Sequence, residues 1–167
     1  LANVYLHYVL DLWFEKCIKK QLYGKAYLVR FADDFLIMFQ YESDAQRVYE
    51  AVIKRMELFG LELSKEKTRI LPFGRYSVSR ETFDFLGFTH FNSKTRKGYY
   101  SVGHKISRKK KKQFKSNLKK WVKKNRTTQF DEFMKTLNKK LTGSFNYYSL
   151  SGMIKEVRNL WHHSLLL

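Results

Sequence analysis

Leu28 to Gln40 read LVRFADDFLIMFQ, two apolar runs that flank the adjacent aspartates Asp33 and Asp34. β-Branched and aromatic residues predict strands over 26–31 and 35–40, and the aspartates between them predict a tight hairpin turn. Two neighbouring carboxylates repel each other, so the pair favours a positively charged partner. A divalent metal is one such partner, because hard carboxylate oxygens suit Mg²⁺. Aspartates are also common in turns for purely structural reasons.

Basic residues are concentrated in one part of the chain. The net charge is +18, from 33 Lys and Arg against 15 Asp and Glu, and 15 of the basic residues lie between Ser101 and Lys140 with only two acidic ones. Such a region is typical of a surface that binds a polyanion, although solvated basic helices have similar compositions. Aromatic residues and helix signals interrupt the basic run, which argues against a simple amphipathic membrane anchor.

The remaining composition excludes several classes of protein. The chain has 167 residues, 44% of them hydrophobic, which permits a packed core. No run approaches the roughly 18 uninterrupted apolar residues of a membrane helix, and the start LANVYLHYVLDLWFEKC does not resemble a signal peptide. The single Cys17 excludes an internal disulfide and suits a reducing compartment. We expect no membrane partner and a cytoplasmic, bacterial-type location.

Helical spacing of apolar residues predicts two helices around the hairpin. The first spans Leu1 to Leu22. Its predicted apolar face consists of Leu1, Tyr5, Tyr8, Val9 and Leu12, widened by Leu6, Trp13 and Cys17. The second spans Asp44 to Phe59, with a capping box at 43–46 and a stop at Gly60. We expect this second helix to pack on the back of the hairpin sheet.

Strand patterns resume after the second helix. A short strand is predicted over Thr68 to Leu71. The alternating run from Phe83 to Phe91 predicts another strand, in which Gly87 indicates a close backbone approach or a tight bend. A hairpin is expected between that strand and Tyr99 to Val102. Residues 1–104 therefore predict an α+β unit, a small antiparallel sheet with helices on one face.

From Ser107 onward the pattern is helical. One helix is predicted over 107–124 and a second from a capping box at 128–131 to Leu141, with Gly143 separating it from the next segment. A last short helix is predicted over 155–167. Lysines occupy most positions outside the apolar stripes, so this part predicts an all-α basic domain.

Five motifs, in order and spacing, resemble the second half of group II intron-type reverse transcriptases, also called maturases. They are Leu1–Leu6, Phe31–Asp34, Leu61–Thr68, Phe85–Phe88 and Leu137–Tyr148. Phe31 keeps the ring of the family's usual Tyr and loses its hydroxyl. The resemblance covers nearly the whole chain. It implies a partial polymerase palm over 1–104 followed by an α-helical thumb or maturase-like domain over 105–167.

The resemblance also implies a chemistry, RNA-directed DNA polymerisation with two Mg²⁺ ions. It makes Asp33 the principal metal ligand and Asp34 the supporting carboxylate. Lys67 is a candidate general acid toward departing pyrophosphate, although an ordinary exposed lysine has the same signature. The partners implied are an RNA template, a DNA primer and deoxynucleoside triphosphates, and in maturases also intron RNA.

Two further groups of residues are implied to contact nucleic acid. Phe85, Leu86, Gly87 and Phe88 resemble the primer-grip motif. The candidate nucleic-acid-binding residues of the basic domain are Arg108, Lys109, Lys110, Lys111, Lys112, Lys115, Lys119, Tyr147 and Tyr148. The tyrosines could stack on bases or lie in a helix-bundle core, and for Trp121 the apolar stripe favours the core.

The family's third catalytic aspartate has no counterpart before Asp33, because Asp11 lies in the first predicted helix. The chain also begins without Met and in mid-pattern. We therefore expect a fragment that lacks the fingers and the first palm aspartate and is inactive alone. Two alternatives remain open: a non-catalytic RNA-binding maturase module that assists intron splicing, and a CRISPR-associated reverse transcriptase. A basic scaffold would explain the charge but not the ordered motifs.

Overall fold

The structure is a computed structural model and describes residues 1–64, 66–150 and 152–165, with Leu165 described by its backbone alone. The described chain is α+β, as predicted, and divides into two compact units, Leu1–Glu81 and Thr82–Leu167. Each unit contains one small antiparallel sheet among the described residues. The strands beyond residue 81 thus form a sheet of their own rather than extending that of the aspartate hairpin. The predicted palm–thumb boundary at residue 104 stays a prediction.

The first unit begins with a helical run that changes its pitch several times. It consists of α1 (Ala2–Leu6), two π-helical stretches (His7–Asp11 and Phe14–Ile18) and a 3₁₀ turn (Lys19–Gln21). The wider π turns rotate the apolar face away from the predicted one. Of the predicted face, Val9 is buried, whereas Leu1, Tyr5, Tyr8 and Cys17 are exposed. The other buried side chains of this run are Leu10, Phe14 and Ile18, which were not predicted to lie on that face.

The aspartate hairpin is confirmed. Strand β1 (Ala26–Phe31) pairs in antiparallel register with β2 (Asp34–Phe39), and Phe31 lies opposite Asp34. The second strand starts one residue earlier than predicted, so Asp33 lies in the turn and Asp34 belongs to the strand. Ala32, the first turn residue, has a positive φ of 54°, which two-residue hairpin turns require because of the strands' right-handed twist.

Helix α2 (Glu42–Leu58) packs its buried face, Ala45, Val48, Val52 and Met56, in the core of the first unit. Inward residues of the hairpin, Ala26, Leu28, Phe35, Ile37 and Phe39, contact the same core, as predicted. Gly60 ends the helix in a Schellman motif: its N–H bonds to Glu57 O (3.0 Å) and Leu61 N–H bonds to Met56 O (2.9 Å). The predicted capping box is wrong, because the helix begins two residues earlier with Tyr41 as N-cap.

The predicted strand over Thr68 to Leu71 is not formed. These residues have no regular secondary structure, and among the described residues β1 and β2 pair only with each other. A strand without a hydrogen-bonding neighbour has no reason to stay extended. The segment is attached to α2 instead, through the Tyr49 hydroxyl, which lies 3.4 Å from Thr68 O.

The sheet of the second unit is a meander of β3 (Thr82–Phe85), β4 (Phe88–Lys94) and β5 (Tyr100–Ile106). The hairpin between β4 and β5 was predicted. The run from Phe83 to Phe91 is divided by a two-residue turn, in which Leu86 and Gly87 have positive φ angles of 51° and 84°. Two positive φ angles are typical of a type I′ hairpin turn, so Gly87 marks the tight bend.

Three helices follow: α3 (Arg108–Asn125), α4 (Phe130–Tyr148) and α5 (Ile154–Leu165). Phe88 and Ile106 from the sheet and Met153 and Leu160 from the last segment form the core of the second unit. The predicted break at Gly143 is wrong, since α4 continues to Tyr148. The predicted capping box is also wrong, because Gln129 is the N-cap and makes no side-chain capping bond. The predicted end of the last helix, residues 166–167, lies outside the described residues.

Phe145 and Tyr148, on the last turn of α4, contact this core. Their packing outweighs the roughly 1 kcal/mol by which a helical glycine is disfavoured.

No helix in the described part of the chain is both long and apolar enough to span a bilayer.

Candidate metal site and nucleic-acid interface

The aspartate tip presents two carboxylates to solvent. Asp33 and Asp34 are both exposed, and neither carboxylate makes a hydrogen bond or ion pair with another described residue. Their backbones are nevertheless fixed, because Asp34 begins β2 and Asp33 lies in a two-residue turn. The structure therefore brings both predicted metal ligands to one point with their oxygens free to bind a ligand.

Arg30, on β1, holds the backbone of this turn. Its Nη1 donates to the carbonyl oxygen of Ala32 at 2.8 Å and to Asn3 Oδ1 at 3.2 Å. Its Nε and Nη2 donate to the two carboxylate oxygens of Asp11 at 2.8 and 2.7 Å. The Arg30 guanidinium thus joins the π-helical stretch of the N-terminal helix to the turn that carries the aspartates.

Both carboxylate oxygens of Asp11 accept hydrogen bonds from Arg30. Hydrogen bonds from Arg30 hold the pKa of the Asp11 carboxyl below its ordinary value, partly opposed by burial, and His7 lowers it further. A carboxylate that accepts a bidentate guanidinium is not free to bind a metal. The expectation that Asp11 is not the third catalytic aspartate stays a prediction.

The donor chemistry of the tip fits Mg²⁺. Carboxylate oxygens are its usual protein ligands, and one or two carboxylates commonly hold the ion together with water and substrate phosphates. Within residues 1–64, 66–150 and 152–165 no group of three or more His, Cys, Asp or Glu side chains could hold a metal ion. The two aspartates therefore fit a site that is completed by substrate or further ligands, rather than a closed protein cage.

Lys67 lies in an exposed turn of the first unit. Its backbone N–H donates to Ser64 O at 3.1 Å, and its side chain makes no hydrogen bond or ion pair with the described residues. No described contact joins it to the aspartates. Its predicted catalytic role therefore stays a prediction.

The predicted primer-grip residues form the β3–β4 turn of the second unit, and two hydrogen bonds hold it. The Tyr147 hydroxyl donates to Leu86 O at 2.8 Å, and Ser107 N–H donates to Gly87 O at 3.0 Å. A Cβ added at Gly87 would lie 3.6 Å from the side chain of Lys110. The turn is thus fixed to the start of α3 and to α4.

The two predicted base-stacking tyrosines pack on this same turn. The ring of Phe88 stacks on Tyr147 and meets Tyr148 edge-on, with ring centroids 5.7 Å apart in both cases. Tyr148 is half-buried, and burial raises the pKa of its hydroxyl. Both rings therefore have a structural role in positioning the turn. Trp121, for which the core was predicted, is half-buried and stacks on Phe133, with ring centroids 5.0 Å apart.

Helix α3 carries the predicted basic residues. Ser107 caps its start by accepting from Lys110 N–H at 3.4 Å. A stripe at helical spacing, which we call the basic stripe, consists of Arg108, Lys112, Lys115 and Lys119. All of the stripe is exposed except Lys115, which is half-buried. Lys109 and Lys110 are exposed as well, whereas Lys111 forms an ion pair with Glu156 on α5. The structure therefore separates Lys111, which has a protein partner, from lysines available to a polyanion.

Sequence reasoning missed the Arg30–Asp11 pair, although β1 contained a signal. Ala26, Leu28 and Arg30 alternate with the exposed Tyr27, Val29 and Phe31. An arginine at an inward position of a strand requires a partner. The partner itself could not be found in this way, because it lies 19 residues away in a helix whose π turns were not predicted.

Comparison with protein families gives two matches. The family model described as reverse transcriptase (RNA-dependent DNA polymerase) matches residues 1–90. The model described as group II intron, maturase-specific domain matches residues 111–165. The chain matches no curated protein in a sequence comparison. The first match covers both the aspartate hairpin and the predicted primer-grip turn, and the second covers most of α3 together with α4 and α5.

Proposed function

Because the chain belongs to the reverse transcriptase (RNA-dependent DNA polymerase) family, we propose that its aspartate hairpin is the metal-binding tip of an RNA-directed DNA polymerase of the group II intron type. One observation carries the proposal: two exposed carboxylates lie at a tip with a fixed backbone, and no described residue uses their oxygens. The maturase-specific match supports the intron type over a CRISPR-associated relative.

In this function Asp33 and Asp34 would hold two Mg²⁺ ions together with the phosphates of a deoxynucleoside triphosphate. Metal bound there supplies charge compensation for nucleotide transfer to the 3′-hydroxyl of a DNA primer on an RNA template. The chain's own contribution is to position these carboxylates, and the small side chain of Ala32 leaves space beside them. Lys67 is assigned the role of general acid toward the departing pyrophosphate.

The second unit supplies the nucleic-acid contacts in this proposal. The turn Phe85–Phe88 holds the primer backbone, a role supported by the contacts of Leu86 O and Gly87 O, because a rigid turn positions a reacting end better than a mobile one. The basic stripe and Lys109 and Lys110 bind phosphates.

Substitution of the aspartates tests the polymerase proposal. We expect Asp33→Asn and Asp34→Asn each to lower the rate of primer extension on an RNA template by at least about a hundredfold, since even outer partners of metal sites cost about 10–100-fold. The assay uses the protein as expressed from its natural gene, with Mg²⁺. Glu50→Gln, which removes an exposed carboxylate on α2, is the matched control. Unchanged extension in both aspartate variants would exclude this catalytic site.

A second function is favoured by a separate observation, the match of residues 111–165 to the maturase-specific domain. Here the chain binds intron RNA and assists splicing without needing the aspartates. The two functions are compatible in one protein. The double variant Asp33→Asn/Asp34→Asn separates them: splicing that persists while DNA synthesis is lost assigns the aspartates to polymerisation alone, and loss of both activities contradicts an independent maturase role.

A further inference from the structure

The polar contacts of Arg30 link the N-terminal helix to the turn that carries the aspartates. Nε and Nη2 donate to the two carboxylate oxygens of Asp11, and Nη1 donates to both Ala32 O and Asn3 Oδ1. All four distances lie between 2.7 and 3.2 Å. The Arg30 side chain is only 12% exposed. Because a guanidinium is planar, fixing one edge on Asp11 also fixes the direction of the nitrogen that reaches Ala32.

We propose that Arg30, locked by Asp11, is a positioning residue for the metal-binding carboxylates of Asp33 and Asp34. The bond to Ala32 O orients the peptide between Ala32 and Asp33, and this peptide sets the direction in which the Asp33 side chain leaves the turn. The inference rests on the proposed function of the tip as a metal site. It assigns no contact between Arg30 and substrate.

The turn needs such support for two physical reasons. Ala32 has a φ of 54°, and the left-handed region is unfavourable for a residue that carries a Cβ. A two-stranded hairpin is also only marginally stable by itself. A charge-assisted hydrogen bond to the carbonyl of the strained residue opposes both tendencies, because relaxation of the turn would break it.

The pairing with Asp11 resolves an electrostatic difficulty. An unpaired guanidinium so near the tip would repel a divalent cation. Asp11 supplies a full negative charge at 2.7 Å from Nη2, so the pair is nearly neutral. A charge effect and a positioning effect of Arg30 therefore predict opposite changes in cation binding at the tip of the Arg30→Gln variant. If Arg30 acted only through its charge, its removal would leave the tip more negative and strengthen cation binding; if it positions the turn, its removal weakens binding.

Manganese titration of the isotope-labelled chain distinguishes these cases. Mn²⁺ broadens amide signals near its binding site, so NMR spectra report metal at the tip without any requirement for catalysis. We expect broadening of the amides around Asp33 and Asp34 in the natural chain and its loss in Asp33→Asn/Asp34→Asn. In Arg30→Gln the Mn²⁺ concentration for half-broadening should rise about tenfold or more, as for other outer partners of metal ligands.

Arg47→Gln is the matched control. Arg47 undergoes the same chemical change in the same unit, but it contacts Gln21 O and Asp44 rather than the hairpin turn. It should leave the Mn²⁺ titration unchanged. If Arg30→Gln does not fold, Arg30→Lys replaces it: lysine keeps the charge beside Asp11 but lacks the fork that reaches both Asp11 and Ala32, and the same weakening is expected.

The outcomes separate this inference from the proposed function. The positioning role is supported if broadening is confined to the tip and Mn²⁺ binds more weakly to the Arg30 variant but not to the Arg47 variant. Tip broadening that is equal or stronger in the Arg30 variant overturns the positioning role alone. Absence of site-specific broadening in the natural chain overturns the metal site itself, and the positioning role with it.

Discussion

Asp44 lies in the first turn of α2 with a side chain that is 1% exposed. Its carboxylate oxygens accept hydrogen bonds from the backbone N–H groups of Tyr23 (3.3 Å) and Gly24 (2.9 Å), just before β1 begins. Buried polar groups of this kind stabilise a fold mainly because their loss leaves partners unsatisfied. Asp44 therefore fixes the loop from which the hairpin starts.

Replacing Asp44 by alanine should lower the free energy of unfolding by about 1–3 kcal/mol, because two backbone donors lose their acceptor. Asp44→Asn keeps one acceptor oxygen and should lose less. Urea unfolding of both variants beside Glu50→Gln, whose carboxylate is exposed on the same helix, measures the difference. Equal stability of all three variants would contradict the anchoring role.

His90 and His104 lie opposite each other on β4 and β5, with 3.0 Å between their Nδ1 atoms. Burial lowers the pKa of His90 below its ordinary 6.5, and the charge of His104 lowers it further, while the Phe85 backbone and Asp84 act in the opposite direction. The unfolded chain thus binds a proton at His90 at a higher pH than the folded chain does. The contribution of His90 to stability is therefore complete above pH 6.5 and falls as the pH drops below that value.

His90→Gln should therefore flatten the dependence of unfolding free energy on pH between about 7.5 and 5.5, where histidine titrates. Urea unfolding at several pH values gives the slope for each variant. His162→Gln provides the control, since His162 is exposed on α5. If the His90 variant retains the full slope of the natural chain, the proton uptake belongs to another group.

At the level of elements, the sequence predicted those helices and strands that depend on interactions between residues close in the chain. The hairpin, the buried face of α2 and its end at Gly60 follow from residues within one turn or one strand pair. The π turns of the N-terminal helix do not: Arg55 Nε donates to Val9 O at 3.1 Å, across 46 residues of sequence. The same limit applies to the site, because the aspartates were visible as a motif while the Arg30–Asp11 pair depends on tertiary contact.

Gly143 provides a test of helix α4, because its removal should stabilise the protein. It lies inside the helix, and nothing lies within 4 Å of a Cβ added there. Gly143→Ala should raise the free energy of unfolding by up to about 1 kcal/mol. Gly98→Ala, at a φ of 83° in the β4–β5 turn, should do the opposite although its surroundings are equally open. Thermal unfolding of both variants measures the two signs; destabilisation by Gly143→Ala would argue against a continuous helix.

On the scale of the whole molecule, the net charge of +18 makes non-specific attraction to any polyanion certain, so binding alone is a weak test. A defined interface requires that the charges of one surface contribute more to nucleic-acid binding than equally exposed charges elsewhere. The basic stripe on α3 concentrates four cations along one helix face. Counterion release gives each phosphate contact a measurable share of the salt dependence.

Neutralising Lys112, Lys115 and Lys119 to Gln should reduce the slope of log affinity against log salt for an RNA–DNA hybrid by about 2–3. Fluorescence anisotropy at several salt concentrations measures this slope. A second triple variant, Lys16→Gln/Lys20→Gln/Lys54→Gln, removes the same charge from exposed positions of the first unit. Equal effects of the two triple variants would mean that binding reflects net charge rather than a defined interface.

The ion pair of Asp11 and Arg30 also has a consequence for how the sequence can diverge. Arg30 is 12% exposed and Asp11 is 25% exposed, so loss of either leaves the other as a poorly solvated charge beside the hairpin. A lineage that loses one partner therefore acquires two defects at once, an unstable helix contact and a displaced turn. Positions 11 and 30 should be inherited as a unit, changing together or staying fixed, even while the exposed residues around them drift.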